Sequence, residues 1–307
     1  MRLSAAKSHV RRFSTLMELT SGLPFVVGAT ENAGRGLFAV VPLSYGQQIL
    51  DAPPVVCHPP SGDAAVCFRC LRFLPPPSAR ALASGQAFCS VACADAARSE
   101  FFDVQAQLAT TNFEQRCAAE GELLPLLALR LACAVASGTV KPDVLSPLCF
   151  ANGAVAHQPS PWLEACTELR AAFARAGVAA DFLTPEWYVS TLARMHLNSF
   201  RVDQPRPDVT DVTSLARAAA RGSGTAVYIL PSLANHSCEP ALDAVWRRGD
   251  STLSFVCRRD VAAGEELTIS YIDNSEALHT RREALRFAYG FTCVCPACTE
   301  EAADAAR

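Results

Sequence analysis

Closely spaced cysteines constrain this sequence more than any other feature. The chain has fourteen cysteines in 307 residues, and seven of them fall into short-spaced groups. Those seven are Cys67, Cys70, Cys89, Cys93, Cys293, Cys295 and Cys298. No secretory hydrophobic segment precedes them, which favours reduced thiols over a disulfide framework. Cysteines at such spacings in a reducing compartment are typical of metal sites.

The first two groups form one pattern, Cys-x2-Cys followed after eighteen residues by Cys-x3-Cys. Pro75 to Pro77 and Gly85 are expected to form turns between the two pairs. Four thiolates at this spacing can surround a zinc ion as a tetrahedron. Buried thiols or a redox pair are the alternatives, and the presence of two pairs within 27 residues favours zinc.

The third group has three cysteines, whereas a closed structural zinc site needs four ligands. The candidates for the fourth are several histidines and Cys57, Cys117, Cys133, Cys149, Cys166, Cys238 and Cys257. Most of these cysteines lie in apolar patterns, where a free cysteine behaves as a small hydrophobic residue. Cys238 differs because it lies in a polar turn that ends at Pro240. The residues alone leave the choice open.

Composition excludes some classes of protein. The formal net charge is −3 and the pI is about 6.1, so sequence-specific nucleic-acid binding is not expected. No stretch approaches the roughly 18 apolar residues of a membrane span. The most apolar stretch contains Arg130. We therefore expect a soluble chain without a membrane partner.

The hydrophobic pattern predicts strands near both ends of the chain and helices between them. Strands are expected in "PFVVGAT", "GLFAVV", "QQILDAPPVV", "AVYIL", "LDAVWRR", "TLSFVCRR" and "ELTISYI". Helices are expected from about Asp95 to Leu197, with breaks at Pro125, at Pro142 to Pro147 and at "HQPSPW". A further helix is expected from Asn274 to Ala288, capped by Asn274 or Ser275, and "VDQPRPDVTDV" is expected to be an exposed loop.

Four segments in order carry a resemblance to a known family. "GRGLFA", "NHSCEPA", "GEELTISYID" and "YGFTCVCPAC" resemble the signature segments of SET-domain lysine methyltransferases. The cysteine pattern after the first segment resembles the SET and MYND domain subgroup, and the resemblance covers about residues 24 to 298. It implies an α+β fold of short antiparallel sheets, interrupted by a zinc-binding MYND-like finger and a helical insertion. A zinc-binding post-SET segment would close this fold.

The implied domains follow from this resemblance. They are a basic tail or targeting segment (1–20), the SET N-terminal part (21–56), a MYND-like finger (57–105), a helical insertion (106–200), the SET C-terminal part (201–290) and the post-SET cysteines (291–300). MYND fingers normally hold two zinc ions, whereas Cys67, Cys70, Cys89 and Cys93 supply one site. The helical-repeat C-terminal domain of several family members is expected to be absent.

The resemblance also implies the site residues. Cys238 would complete a second zinc site with Cys293, Cys295 and Cys298. Tyr271 and Tyr289 match the catalytic tyrosines. The implied ligands of S-adenosylmethionine are Arg35, Asn198, Ser232, Asn235, His236, Tyr271 and Phe291. Ala33 stands where relatives often have a polar residue, which weakens one contact.

Plainer readings remain for three of these residues. His236 could satisfy local backbone groups, Asn198 could be a turn residue, and Tyr271 could pack in the core. The implied activity is methyl transfer from S-adenosylmethionine to a lysine of a histone or non-histone protein. The alternative is a catalytically inactive zinc adaptor. We expect a monomer in the cytoplasm or nucleus, and the basic N-terminus also allows an organelle.

Overall fold

The computed structural model describes residues 16, 18–31, 33–60, 65–74, 81–83, 86–150, 159–204, 223–305 and 307. These residues form two compact units. The first unit takes its described residues from Met1–Ala52, Leu230–Val245 and Leu253–Arg307. The second unit takes them from Pro53–Ile229 and Trp246–Thr252.

The secondary structure alternates short strands with helices of up to sixteen residues. The strands are β1 (Phe25–Ala29), β2 (Arg35–Ala39), β3 (Gln48–Ala52), β4 (Val56–His58), β5 (Ala81–Ala83), β6 (Gln86–Phe88), β7 (Ser199–Val202), β8 (Gly224–Val227), β9 (Leu242–Val245), β10 (Leu253–Cys257) and β11 (Glu266–Leu267). The helices are α1 (Val91–Ala97), α2 (Asp103–Gln107), α3 (Thr111–Glu120), α4 (Leu124–Ala136), α5 (Ser160–Arg175), α6 (Pro185–Asn198), α7 (Leu278–Tyr289) and α8 (Pro296–Ala305).

Two antiparallel sheets form the β structure of the first unit, in the strand orders β1-β2-β11 and β3-β10-β9. The central strand β10 is buried along its whole length. Its sequence "LSFVC" is almost continuously apolar, as a strand covered on both faces requires. The polar exception, Ser254, donates its hydroxyl to Asp51 on β3 and so leaves no unsatisfied group in the sheet.

The second unit is built around α4. Every residue from Pro125 to Val135 is buried, and the three-stranded sheet β4-β8-β7 belongs to the same unit. Pro125 lies in the first turn of α4, where its missing N–H costs nothing, so the predicted break is the start of a helix. Within the described residues, α4 and the other helices are all too short or too polar to traverse a bilayer.

Each predicted strand segment contains a strand, but two of them are much shorter than predicted. In "AVYIL" only Ala226 and Val227 belong to a strand, which starts earlier, at Gly224. In "ELTISYI" only Glu266–Leu267 forms a strand, and Ile269 instead makes an isolated bridge to His236. The predicted helical region is also confirmed in outline, although it begins earlier than expected, at Val91. The side chain of Ser90 accepts a hydrogen bond from the Cys93 amide and caps this first helix.

The predicted start of the last long helix is wrong. The helix begins at Leu278, and Ala277 precedes it without a side-chain cap. The two expected caps are used in the preceding turn, where Asn274 accepts a hydrogen bond from Ser270 and Ser275 donates to Asp273. The helix ends at Gly290, whose φ of 77° is a left-handed conformation that favours glycine.

Some predictions lie outside the described residues. These are the turns at Pro75 to Pro77 and Gly85, most of the N-terminal tail, and most of the loop at 202–212. Between the two cysteine pairs the described residues form the antiparallel pair β5–β6, which the sequence did not predict.

Candidate active site and metal centres

The turn that contains Asn235, His236 and Cys238 runs beside the segment that follows β11. The amide of Ile269 donates to the carbonyl of Asn235 at 2.9 Å, and the amide of Ser237 donates to the carbonyl of Ile269 at 3.0 Å. A short 3-10 turn, Pro231–Leu233, leads into it. The backbone of this polar turn is therefore fixed by main-chain hydrogen bonds.

The side-chain nitrogen of Asn235 donates two hydrogen bonds to protein acceptors. Nδ2 donates to the carbonyl of Arg35 at 2.8 Å and to Oε1 of Glu266 at 2.7 Å. Because both partners are acceptors, the atom that faces them must be the nitrogen. The carbonyl oxygen Oδ1 is therefore the end of the amide that can accept a hydrogen bond. Gly36 allows this approach, because a Cβ there would lie 2.9 Å from Nδ2 of Asn235.

His236 is held in one neutral tautomer. Its Nδ1 accepts a hydrogen bond from the amide of Tyr271 at 3.1 Å, so the proton lies on Nε2, which is 3.4 Å from Sγ of Cys238. Burial, with the positive charge of Arg281 adding to it, lowers the pKa of His236 to about 4. The imidazole is therefore uncharged at neutral pH and satisfies a backbone amide, as the plainer reading of this residue expected.

The rings of Tyr271 and Phe291 pack against this histidine, and the ring of Tyr289 packs against both of them. The ring centroids of Tyr271 and Tyr289 are 4.8 Å apart, and those of His236 and Tyr271 are 5.4 Å apart. Phe291, whose side chain is 36% exposed, lies 6.1 Å from His236 and 6.5 Å from Tyr289. The sequence places Tyr271 and Tyr289 eighteen residues apart, and α7 brings them together.

The two phenols differ in their surroundings. The hydroxyl of Tyr271 donates to the carbonyl of Ala234 at 2.7 Å, which leaves its oxygen as an acceptor. Burial raises the pKa of Tyr289, so this phenol is neutral at physiological pH. A pair of neutral phenols beside a neutral imidazole suits the binding of a cationic or amine group through acceptor oxygens and ring faces.

The four C-terminal cysteines converge on one point. The sulfurs of Cys238, Cys293, Cys295 and Cys298 all lie within 4.8 Å of one another, and those of Cys238 and Cys298 are 3.5 Å apart. Four sulfurs at about 2.3 Å from a tetrahedral zinc would be about 3.8 Å apart. The donor set and the spacing therefore both fit zinc.

The four cysteines of the first cluster converge in the same way within the second unit. The sulfurs of Cys67, Cys70, Cys89 and Cys93 lie within 4.8 Å of one another. The sulfurs of Cys67 and Cys93 are 3.6 Å apart, and those of Cys70 and Cys89 are 3.7 Å apart. This cluster also fits a tetrahedral thiolate site. Among the residues the structure describes, these are the two groups suited to a metal.

The remaining predicted ligands have defined positions. Arg35 is the first residue of β2 and is half-buried, and Ser232 lies half-buried in the 3-10 turn. Asn198 ends α6 in the second unit, where its Nδ2 donates to the carbonyls of Cys149 and Arg194. Its role as a cofactor ligand stays a prediction.

Three residues of the site were missed by the sequence reasoning. They are Glu266, which holds Asn235; Gly36, which makes room for that contact; and Arg281, whose Nη2 lies 3.8 Å from Sγ of Cys298. Glu266 and Gly36 lie inside the recognised motifs and could have been named from them. Arg281 has no local signal, because it reaches the cysteines only through the packing of α7.

Comparison with known proteins gives the family. The SET domain family model matches residues 34–272, which is most of the chain and includes the turn, Glu266 and Tyr271. The chain belongs to the SET-domain family of methyltransferases. The predicted α+β SET-domain fold is thereby confirmed.

The chain is similar to several curated proteins and solved structures. The chain is 35% identical to histone-lysine N-methyltransferase ATXR4 of Arabidopsis thaliana over 90% of its own length and 86% of that protein. It is 30% identical to mouse protein-lysine N-trimethyltransferase SMYD5 over 47% of its own length and 30% of that protein. The SET domain of LSMT, solved with lysine and AdoHcy, is similar at a TM-score of 0.44 and 14% identity, over 92% of this chain and 58% of that one.

Proposed function

We propose that this chain transfers a methyl group from S-adenosylmethionine to a lysine side chain of a protein substrate, histone or non-histone. Membership of the SET-domain family and the activities named for ATXR4 and SMYD5 support this activity. The observation that carries it is the placement of Tyr271 against His236 and Tyr289, beside the turn that holds Asn235.

The amino-acid end of the cofactor carries an ammonium group and a carboxylate, and the site offers a partner for each. Both hydrogens of Asn235 Nδ2 are committed to protein acceptors, so Oδ1 is the atom that can receive the ammonium group. The guanidinium of Arg35 can pair with the carboxylate. Phe291 offers a partly exposed ring face to the adenine or to the lysine stem. His236 has protein partners for both ring nitrogens, so its contribution would come from its backbone and its ring face.

The lysine must arrive as a neutral amine. Its ordinary pKa is about 10.4, so it carries a proton at neutral pH. An aromatic, water-poor surrounding lowers that pKa because it disfavours the charged form. When bound, S-adenosylmethionine supplies an electrophilic methyl group on a sulfonium. Tyr271 and Tyr289 would orient the amine through their oxygens and exclude water from it.

Zinc would have a structural role. Cys238, Cys293, Cys295 and Cys298 would hold one ion, and Cys67, Cys70, Cys89 and Cys93 would hold the other. Four thiolates leave no open position on the metal, so neither ion would take part in the chemistry. The first cluster would be a MYND-like finger reduced to a single zinc site.

Methylation of a cell extract with isotope-labelled S-adenosylmethionine tests the activity. We expect the zinc-loaded protein to label one or a few proteins, and mass spectrometry to place the label on lysine Nε. The matched control is Asn235→Asp, which is isosteric but replaces the donor Nδ2 by a second acceptor facing Glu266. We expect this variant to lose cofactor binding and labelling together. Absence of measurable cofactor binding by the wild-type protein would contradict the proposal.

A further inference from the structure

We propose that each cysteine cluster has a dedicated arginine outside its four ligands, Arg281 for the C-terminal cluster and Arg69 for the first cluster, and that these two arginines determine how tightly zinc is retained. The inference rests on the proposed zinc ions. It concerns metal retention rather than catalysis, so it can be tested without turnover.

Arg281 links three elements at the C-terminal cluster. It lies on α7, is 5% exposed, and places Nη2 3.8 Å from Sγ of Cys298. The same nitrogen donates to Glu301 on α8 at 2.6 Å, and Nη1 donates to the carbonyl of Glu276. The guanidinium is thus held by a carboxylate and a carbonyl, and it also contacts the sulfurs of Cys298 and Cys238.

Arg69 repeats this arrangement in the second unit. Its Nη1 lies 3.9 Å from Sγ of Cys93, while Nε and Nη2 form a two-pronged ion pair with Glu100 at 2.7 and 2.5 Å. It lies between Cys67 and Cys70 in the sequence, so the same short segment provides two sulfurs and their counter-charge. In both clusters, therefore, an arginine contacts a cysteine sulfur and also pairs with a carboxylate, although the surrounding sequences are unrelated.

Charge explains why both clusters need such a residue. Four thiolates around a zinc ion carry a net charge of −2, and a buried charge is costly unless it is paired. One guanidinium N–H donated to a sulfur offsets part of that charge and so favours the metal-bound state of the cluster. Residues that hold metal ligands from outside typically change metal affinity by about 10- to 100-fold when removed.

The test measures zinc release from each cluster separately. Zinc-loaded protein is mixed with a chromogenic chelator and iodoacetamide, and peptide mass mapping identifies which cysteines become alkylated. We expect Arg281→Gln to release zinc from the C-terminal cluster about tenfold or more faster, with the first cluster unchanged. Arg69→Gln should give the reverse pattern. Arg281→Lys should release zinc more slowly than Arg281→Gln but faster than the wild type, because lysine keeps the positive charge but lacks the planar guanidinium with its several donors.

Matched controls lie on the same elements. Arg286→Gln removes a charge from the exposed side of α7, and Arg98→Gln removes one from an exposed ion pair just after α1. Both should release zinc at the wild-type rate. Release from Arg281→Gln at the rate of Arg286→Gln would overturn the proposal, and so would equal acceleration at both clusters. Wild-type protein purified without zinc would instead contradict the metal assignment.

Discussion

At the scale of single residues, one turn serves three purposes. Asn235 bonds to the carbonyl of Arg35 on β2, His236 bonds to the amide of Tyr271, and Cys238 joins the C-terminal cysteine cluster. Each side chain contacts a different segment of the first unit, and those of His236 and Cys238 also contact each other. A change at any of these positions therefore disturbs its own contact and also the backbone that places the other two.

The phenol of Tyr271 gives the most direct test of the site. Tyr271→Phe removes the oxygen and its hydrogen bond to the carbonyl of Ala234, but keeps the ring against His236 and Tyr289. We expect folding and cofactor affinity to stay near wild type, while kcat falls on the order of 100-fold. Cofactor binding by calorimetry and methyl transfer under saturating cofactor measure the two effects.

Tyr45→Phe is the matched control for this change. Tyr45 is 75% exposed in the same unit, so the loss of its hydroxyl should leave both quantities unchanged. Full turnover in Tyr271→Phe would assign the chemistry to another residue.

At the scale of elements, α4 organises the second unit around a buried cation. Arg130 is 2% exposed and donates to the carbonyls of Cys57 and Phe68. Its guanidinium lies 4.0 Å from the ring centre of Phe68 and 4.5 Å from that of Phe101. Burial lowers the pKa of Arg130 to about 10, and the residue stays charged at neutral pH. Because Phe68 lies between Cys67 and Cys70, this contact connects the first cysteine cluster to the helical core.

Arg130→Ala should destabilise the second unit by roughly 3 kcal/mol, since it leaves two buried carbonyls without a donor and opens a cavity. The three tryptophans, Trp162, Trp187 and Trp246, all belong to this unit, so urea unfolding followed by tryptophan fluorescence reports on it. Arg116→Ala, which breaks an exposed ion pair with Glu168, should cost about 1 kcal/mol or less. Equal losses in the two variants would show that Arg130 is not a structural centre of this unit.

The second unit should also lose stability in mild acid through His58 on β4. Burial, with the charge of Arg130 adding to it, lowers the pKa of His58 to about 3, and its Nδ1–H donates to the carbonyl of Pro59. The unfolded chain takes up a proton near pH 6.5, whereas the folded one does not until about pH 3. Stability is therefore full above pH 6.5 and falls as the pH drops toward 3.

The expected loss from this histidine is about 2 kcal/mol at pH 5. Urea unfolding at pH 7.5 and pH 5, in the wild type and in His58→Gln, measures it. The variant cannot take up this proton, so its free energy of unfolding should change less between the two pH values. A similar pH dependence in both proteins would assign the acid sensitivity to other groups.

At the scale of the whole molecule, the C-terminal cysteine cluster closes a long loop. Cys238 and Cys298 are 60 residues apart in the sequence, and their sulfurs are 3.5 Å apart. A metal at this point would connect the turn that contains Asn235 and His236 to α7 and α8 and so hold Tyr289 and Phe291 in place. Cross-links that close long loops stabilise a fold mainly because they restrict the unfolded chain.

Cys238→Ser should therefore reduce the zinc content from two ions per chain to one and remove order from the C-terminal segment. Hydrogen exchange should show lost protection in α7 and α8 and retained protection in β3, β9 and β10. Cys149→Ser, which changes an exposed cysteine outside both clusters, should keep two ions. Unchanged zinc content in Cys238→Ser would refute the shared site.

The sequence by itself determined the fold class, most strands, the first cysteine cluster and three of the four cysteines of the C-terminal cluster. These features depend on local patterns: alternating apolar residues, short cysteine spacings and motifs of a few residues each. The count of three cysteines in "CVCPAC" already required a fourth ligand from elsewhere, and the family resemblance indicated Cys238. The last long helix shows the limit of local patterns. Its expected caps, Asn274 and Ser275, form hydrogen bonds within the preceding turn instead.

Only the tertiary structure decided which charges accompany these sites. Arg281 and Arg69 reach sulfurs, Glu266 holds the amide of Asn235, and Arg130 lies buried between two phenylalanine rings. In the sequence these residues look like ordinary surface charges or, for Arg130, like an interruption of an apolar helix. The partners named here lie 17 or more residues away along the chain. Packing brings such groups together, and the cost of burying an unpaired charge then determines what must lie beside it.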